Sequence, residues 1–134
     1  MVTRLPIKKR LGMNGHNYLA DTNTFIFLLN EHPSVKPLLS ASWYYSVITE
    51  IELKGKHKIS PSELKVVTRL LEHCNKIPLT EDIEDITIKL RQQYKIKTPD
   101  AIIAATSISR NIPLLTFDKG FEVVKSLDIV LLEL

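Results

Sequence analysis

Short runs of apolar residues alternate along this chain with longer segments in which apolar residues recur every three or four positions. The short runs are typical of buried β-strands, and the three-to-four spacing is typical of amphipathic helices. Strands are therefore predicted at residues 18–20, 43–47, 112–116 and 129–132. A further run at residues 76–79 is short enough to be either a strand or a loop, so we expect a sheet of four or five strands.

Residues with helix-capping chemistry mark where the helices between these strands begin. Ser60, Pro61 and Glu63 place a hydroxyl cap, a first-turn proline and a capping-box carboxylate in front of an apolar stripe. Thr80 begins a later helix in a similar way. Helices that alternate with strands predict a parallel sheet covered on both faces. The predicted fold class is therefore α/β, a three-layer α/β/α arrangement around a central parallel sheet.

Length and composition limit the class of protein. The chain has 134 residues, of which 44% are hydrophobic and 25% charged, as expected for one globular domain. No apolar run approaches the ~20 residues of a membrane-spanning helix, and the first residues do not form the apolar segment of a signal peptide. A single cysteine fits a reducing compartment. We therefore expect a cytoplasmic protein without a membrane partner.

The positive charge is concentrated at the start of the chain. The net charge is +3, but four of the 18 basic residues and none of the 15 acidic ones fall in residues 1–16. The remainder of the chain therefore carries a charge of −1. We expect residues 1–16 to be a basic N-terminal extension, either disordered or added ahead of a natural start at Met13, and residues 17–134 to form the domain.

Four acidic residues fall at or near the ends of predicted elements. Asp21 directly follows the first predicted strand, and Asp118 follows the strand at residues 112–116. Asp100 lies in the first turn of the helix before that strand, and Glu52 lies about one turn into the helix after the second strand. Because ligand sites in parallel α/β sheets lie at the carboxyl ends of the strands, we expect these four carboxylates to converge.

Each acid also has an ordinary structural explanation. Asp21, Asp100 and Asp118 could serve only as helix caps or turn residues, and Glu52 could simply pair with Lys56 four residues later. A cluster would be costly, because two like charges ~4 Å apart at an effective dielectric of ~20 repel by about 4 kcal/mol. Four gathered carboxylates would stay partly protonated or bind cations. Oxygen ligands suit Mg²⁺ or Mn²⁺, which can activate water for phosphodiester hydrolysis.

The segments around these acids resemble the four motifs of the PIN-domain nucleases, and most closely those of the VapC-type toxins of bacterial and archaeal toxin–antitoxin pairs. The motifs lie in segments 18–24, 46–53, 98–105 and 114–121, and include Asp21-Thr22-Asn23, Glu52-Leu53, Pro99-Asp100-Ala101 and Thr116-Phe117-Asp118. All four occur in the order and spacing of that family. The resemblance covers roughly residues 18–132.

This resemblance implies a Mg²⁺- or Mn²⁺-dependent endoribonuclease of PIN-like fold. Its catalytic and metal-binding residues would be Asp21, Glu52, Asp100 and Asp118. Two further residues match polar positions that support the acids: Asn23 and Thr116. The resemblance also implies an RNA substrate, a homodimer and a cognate antitoxin protein that blocks the pocket.

Two choices within this interpretation rest on local sequence. Glu52 is preferred to Glu50 because its aliphatic neighbour matches the motif, and because two positions along a helix turn a side chain by about 160°. Lys54, Lys56 and Lys58 follow closely. They are candidates for holding RNA phosphates at the rim of the site, although a solvated helix end explains them equally well.

Two alternative functions remain open. A catalytically silent RNA-binding module could use the same PIN-like fold. A dehalogenase-type phosphatase would use Asp21 as its nucleophile, but it needs a second acid where this chain has Asn23.

Overall fold

The computed structural model describes residues 2–5, 17–30 and 42–133. The strands are β1 (Val2–Leu5), β2 (Asn17–Ala20), β3 (Ser42–Ser46), β4 (Asn75–Ile77), β5 (Leu114–Thr116) and β6 (Ile129–Leu132). The α-helices are α1 (Thr22–Leu29), α2 (Val47–Lys54), α3 (Pro61–Glu72), α4 (Glu81–Gln93) and α5 (Thr98–Arg110). A short 3₁₀ helix, Lys119–Val123, follows β5.

All six described strands are parallel and form one sheet in the order β1-β6-β5-β2-β3-β4. The predicted α/β fold is confirmed, including the run near residue 77, which is a strand. The sheet has one strand more than the four or five predicted, because β1 pairs with β6 at one edge. Residues 2–5 of the predicted basic extension thus belong to the sheet. Residues 6–16 lie outside the described residues, and a domain boundary at residue 17 stays a prediction.

Helices cover both faces of the sheet, as the alternation of side chains along β2 requires. Tyr18 and Ala20 pack with residues of α1, α2 and α3, whereas Leu19 packs with residues of α4 and α5. Each layer buries apolar side chains against the sheet, and Phe25 and Leu19 are both inaccessible to solvent. The three-layer arrangement therefore follows from two separate cores on the two faces of one buried sheet.

Side-chain caps set the residues at which helices begin. The hydroxyl of Ser60 accepts a hydrogen bond from the Glu63 N–H, and Glu63 accepts one from the Ser60 N–H, which completes the predicted capping box. Strand β3 ends at Ser46 rather than Val47, because the Ser46 hydroxyl accepts from the Ile48 N–H and starts α2. None of the described helices has the length and apolar character needed to cross a membrane.

Candidate functional site

The four predicted acids line one pocket at the carboxyl edge of the sheet. This pocket has a volume of about 300 Å³. Its lining residues come from the β2–α1 junction, α1, α2, α5 and the segment after β5: Asp21, Thr22, Asn23, Ile26, Glu52, Asp100, Ile103, Asp118 and Phe121. The strand order explains the convergence, because β2 lies between β5 and β3 and so places Asp21 beside the residues that follow both neighbours.

Asp21 is the most tightly held of the four. The residue is only 5% exposed, and its side chain caps α1, with Oδ1 accepting from the Thr24 N–H at 2.9 Å and from the Thr24 hydroxyl at 2.6 Å. Oδ2 accepts from the Thr116 hydroxyl. Burial raises the pKa of Asp21 despite these hydrogen bonds, and the charge of Asp118 raises it further. Asp21 can therefore cap helix α1 and line the acidic pocket at the same time.

Asp118 is fixed by its own backbone. Its carboxylate accepts from the Gly120 N–H at 2.8 Å and caps the 3₁₀ helix, while its N–H donates to the Thr116 hydroxyl at 2.9 Å. Thr116 is fully buried and therefore connects Asp21 and Asp118 through one hydroxyl group. The structure places Thr116 where the sequence predicts a supporting polar residue.

Asp100 lies in the first turn of α5, three residues after the helix N-cap Lys97. Burial raises the pKa of Asp100, and repulsion from Asp118, Asp21 and Glu52 adds to the increase, whereas Lys97 opposes it. The carboxylates are therefore close enough to act on one another electrostatically.

Glu52 reaches the pocket from the outer side of α2. The Thr22 hydroxyl donates to Oε1 of Glu52 at 2.6 Å and lies 3.1 Å from the Thr49 hydroxyl. Glu50 instead forms ion pairs with Lys54 at 3.0 Å and Lys76 at 3.2 Å, and hydrogen bonds from these lysines lower the pKa of Glu50. Glu52, not Glu50, thus lines the acidic pocket.

The donor set of this pocket suits a hard, hydrated cation. Within the described residues, no three His, Cys, Asp or Glu side chains are gathered closely enough to form a direct metal cage. Mg²⁺ does not require one, because it usually keeps several waters and uses only one or two carboxylates. The raised pKa values of Asp21 and Asp100 show carboxylates that lose hydration and repel one another. Both penalties would be relieved by a bound cation.

The predicted auxiliary residues lie in different surroundings. Asn23 is exposed and lines the pocket. Lys54 is paired with Glu50, and Lys56 with Glu63 at 2.8 Å. Lys58 is exposed and has a left-handed φ of 58°. A role for these lysines in binding RNA stays a prediction.

Sequence reasoning missed the threonines next to the first aspartate and the apolar wall of the pocket. Thr22 and Thr24 each donate a hydroxyl hydrogen to an acid of the site. The alternation of hydroxyl residues after Asp21 was the available signal, but it is equally typical of an ordinary helix start. Ile103 of α5 and Phe121 of the 3₁₀ helix also line the pocket. Their position depends on how these two elements pack, which the sequence pattern does not reveal.

The sequence matches the PIN domain family over residues 18–127, most of the chain. The chain belongs to the PIN domain family. A toxin–antitoxin complex from Klebsiella pneumoniae contains a similar chain with 31% identity and a TM-score of 0.72, covering 84% of this PIN domain protein and 95% of that chain. VapBC-1 from nontypeable Haemophilus influenzae is similar at 26% identity and a TM-score of 0.72, covering 86% of this chain and 97% of the other.

The fold likeness extends further. The VapBC2 complex of Rickettsia felis, bound to a promoter DNA fragment, matches with a TM-score of 0.75 at 21% identity and covers 87% of this chain and 99% of the other. Among the curated proteins no sequence matches this chain. The PIN domain and its likeness to VapC-type toxins, both expected from the motifs, are thereby confirmed.

Proposed function

We propose that this PIN domain protein is a metal-dependent endoribonuclease that acts as a VapC-like toxin and is inhibited by a cognate antitoxin. The observation that carries the proposal is the meeting of Asp21, Glu52, Asp100 and Asp118 at one pocket from four separate segments. Clustering of carboxylates opposes folding, as the raised pKa values of Asp21 and Asp100 indicate. A function that requires negative charge at this place accounts for the arrangement.

Asp21 and Asp100 are the proposed direct ligands of Mg²⁺ or Mn²⁺, with Glu52 and Asp118 binding directly or through water. When bound, such a cation lowers the pKa of a water molecule and stabilises the charge that develops on a phosphodiester. Thr24 and Thr116 hold the Asp21 carboxylate in one orientation through hydrogen bonds to its two oxygens. The apolar side chains of Ile103 and Phe121 restrict water on one side of the pocket.

The direct test is RNA cleavage by the purified full chain with added Mg²⁺ or Mn²⁺ and with a chelator. Wild-type protein should cleave only with metal, and Asp100→Asn should abolish cleavage. The matched control is Asp85→Asn, which removes a carboxylate from an exposed position on α4 and should leave cleavage unchanged. RNA binding by the wild type without any metal-dependent cleavage would instead favour a silent RNA-binding module. Accumulation of an acyl-phosphate on Asp21 would favour a phosphatase.

An antitoxin partner is supported by the similar Klebsiella chain, which comes from a toxin–antitoxin complex. The surface offers a place for such a protein, because a second concavity of about 520 Å³ adjoins the acidic pocket and shares Thr22, Ile26 and Glu52 with it. Its remaining wall includes the apolar residues Leu53 and Val66. We propose that the antitoxin covers both concavities and inserts a basic side chain among the acids.

Co-expression with the product of the neighbouring gene tests this partner. The complex should be isolated intact, and its RNA cleavage should be lower than that of the free protein. Failure of the neighbouring product to bind or inhibit would refute the antitoxin proposal without touching the nuclease proposal. We also propose a homodimer, which sedimentation of the free protein would reveal as twice the mass of 15.3 kDa.

A further inference from the structure

We propose that Thr22 is a positioning residue that holds Glu52 in its cation-binding orientation, with Thr49 fixing Thr22 in turn. This inference rests on the proposed function of the pocket and adds to it two residues outside the predicted set of acids and their supports. It is carried by a chain of two hydrogen bonds that crosses from α2 to α1 and back.

The direction of the hydrogen bonds follows from the number of hydrogens. A threonine hydroxyl has one hydrogen and two acceptor positions. Thr22 donates its hydrogen to Oε1 of Glu52 at 2.6 Å. The 3.1 Å contact between the Thr22 and Thr49 hydroxyls must then use the Thr49 hydrogen. The chain therefore runs from Thr49 through Thr22 to Glu52, and each hydroxyl fixes the orientation of the next group.

Glu52 needs such a partner more than the two strand-end aspartates do. It projects from a helix into an exposed position and has more rotatable bonds than Asp21 or Asp118. Asp21 is buried and receives three hydrogen bonds, whereas Asp118 is held by the Gly120 N–H within its own turn. Holding one oxygen of Glu52 fixes the rotamer and so the position of the second oxygen as well.

Thr22 is suited to this task by its own rigidity. It is the first residue of α1 and directly follows Asp21, so its backbone is fixed to that of a second proposed metal ligand. Its β-branched side chain has few rotamers. Thr49 is fully buried and therefore equally constrained. The hydrogen bonds thus transmit the position of one proposed ligand, Asp21, to another, Glu52, across two helices.

Four variants of the full chain test the inference. Thr22→Val removes the hydroxyl at nearly constant shape, Thr22→Ser restores it, and Thr49→Val removes the hydrogen that orients Thr22. The matched control is Thr87→Val on α4, since Thr87 is also buried and donates its hydroxyl to the Ile83 carbonyl. Each protein is measured for Glu52 rotamer averaging by side-chain NMR without metal, for Mn²⁺ affinity by calorimetry and for RNA cleavage.

Thr22→Val should show an averaged Glu52 rotamer and bind Mn²⁺ about 10-fold more weakly, the lower end of the 10–100-fold effect of ligand-orienting partners. Thr22→Ser should restore a single Glu52 rotamer and wild-type Mn²⁺ affinity. Thr49→Val should have a Mn²⁺ affinity between those of Thr22→Val and Thr22→Ser. Thr87→Val should resemble the wild type.

An ordered Glu52 and unchanged Mn²⁺ affinity in Thr22→Val would overturn the positioning role, as would failure of Thr22→Ser to rescue. If the wild type neither binds Mn²⁺ nor cleaves RNA, the proposed function fails. The metal-free NMR comparison still decides whether Thr22 orients Glu52.

Discussion

Replacement of Asp21 by asparagine should abolish cleavage and yet stabilise the fold at neutral pH. Asp21 is 5% exposed, and the raised pKa of its carboxyl group means that burial and the repulsion from Asp118 outweigh the three hydrogen bonds it accepts. The asparagine carbonyl can keep both bonds from Thr24, but its NH₂ group meets the Thr116 hydroxyl where the second carboxylate oxygen was.

The magnitude follows from comparing these contributions. Losing the charge-assisted bond from Thr116 costs about 1.5–3 kcal/mol, of which a bond from the new NH₂ group to the same hydroxyl returns about 1 kcal/mol. Removing a buried charge whose hydrogen bonds do not fully offset its lost hydration regains several kcal/mol. We expect a net gain of about 1 kcal/mol in the free energy of unfolding. For a chain of this length that corresponds to an increase of about 3–5 °C in Tm.

The gain should depend on pH in a definite direction. Because the folded-state pKa of Asp21 lies above 3.8, the folded protein binds this proton more tightly than the unfolded chain does. The loss of stability caused by the ionised Asp21 carboxylate is therefore fully present above its folded-state pKa. It disappears as the pH falls towards 3.8. The stability difference between Asp21→Asn and the wild type should shrink over the same range.

Urea unfolding followed by tryptophan fluorescence can measure this difference. The chain has one tryptophan, Trp43, which is 5% exposed and lies 5.5 Å from the Phe25 ring, between ring centroids. The control Asp85→Asn should change stability by less than about 0.5 kcal/mol. The reasoning is refuted if Asp21→Asn loses more than about 1 kcal/mol while the control is unaffected, or if a gain persists unchanged at pH 4.

Four further substitutions have expected outcomes. Glu52→Gln should abolish most RNA cleavage. Glu50→Gln should leave cleavage unchanged and cost less than about 1 kcal/mol from its partly exposed ion pairs. The opposite pattern in a cleavage assay would contradict the choice of Glu52. Thr116→Val should destabilise the protein by about 1–3 kcal/mol in urea unfolding, because the buried Asp21 carboxylate and the partly buried Asp118 N–H both lose their partner. Lys58→Gly should raise stability by about 0.5–1 kcal/mol by relieving the left-handed φ, and should weaken RNA binding in a filter assay if Lys58 contacts phosphates.

Much of the fold could be predicted because local chemistry and tertiary packing agree. The capping box at Ser60 and the cap at Thr80 are read directly from residue types, and both occur in the structure. Strand β1 was missed because Val2–Leu5 lacks the apolar run of a buried strand. It occupies an edge of the sheet, where a strand has only one neighbour.

The acidic residues of the site could be predicted from the sequence, but the strand order and the hydrogen bonds that hold these residues could not. Asp21 and Asp118 follow strands, so the rule for parallel sheets places them at one edge. The strand order, which sets Asp21 between its neighbours, cannot be read from periodicity. Periodicity also cannot reveal the hydrogen bond from Thr22 to Glu52, because these two residues lie on different helices and are 30 positions apart.

The outermost strands of the sheet are both short, with three residues in β4 and four in β1. Each therefore presents only about 10–13 Å of backbone to another molecule. Edge strands this short offer a second copy few backbone groups with which to extend the sheet. They therefore protect the protein from edge-to-edge aggregation. Among the elements that the structure describes, the helical layers therefore offer more surface than the sheet edges for selective, reversible contacts between copies.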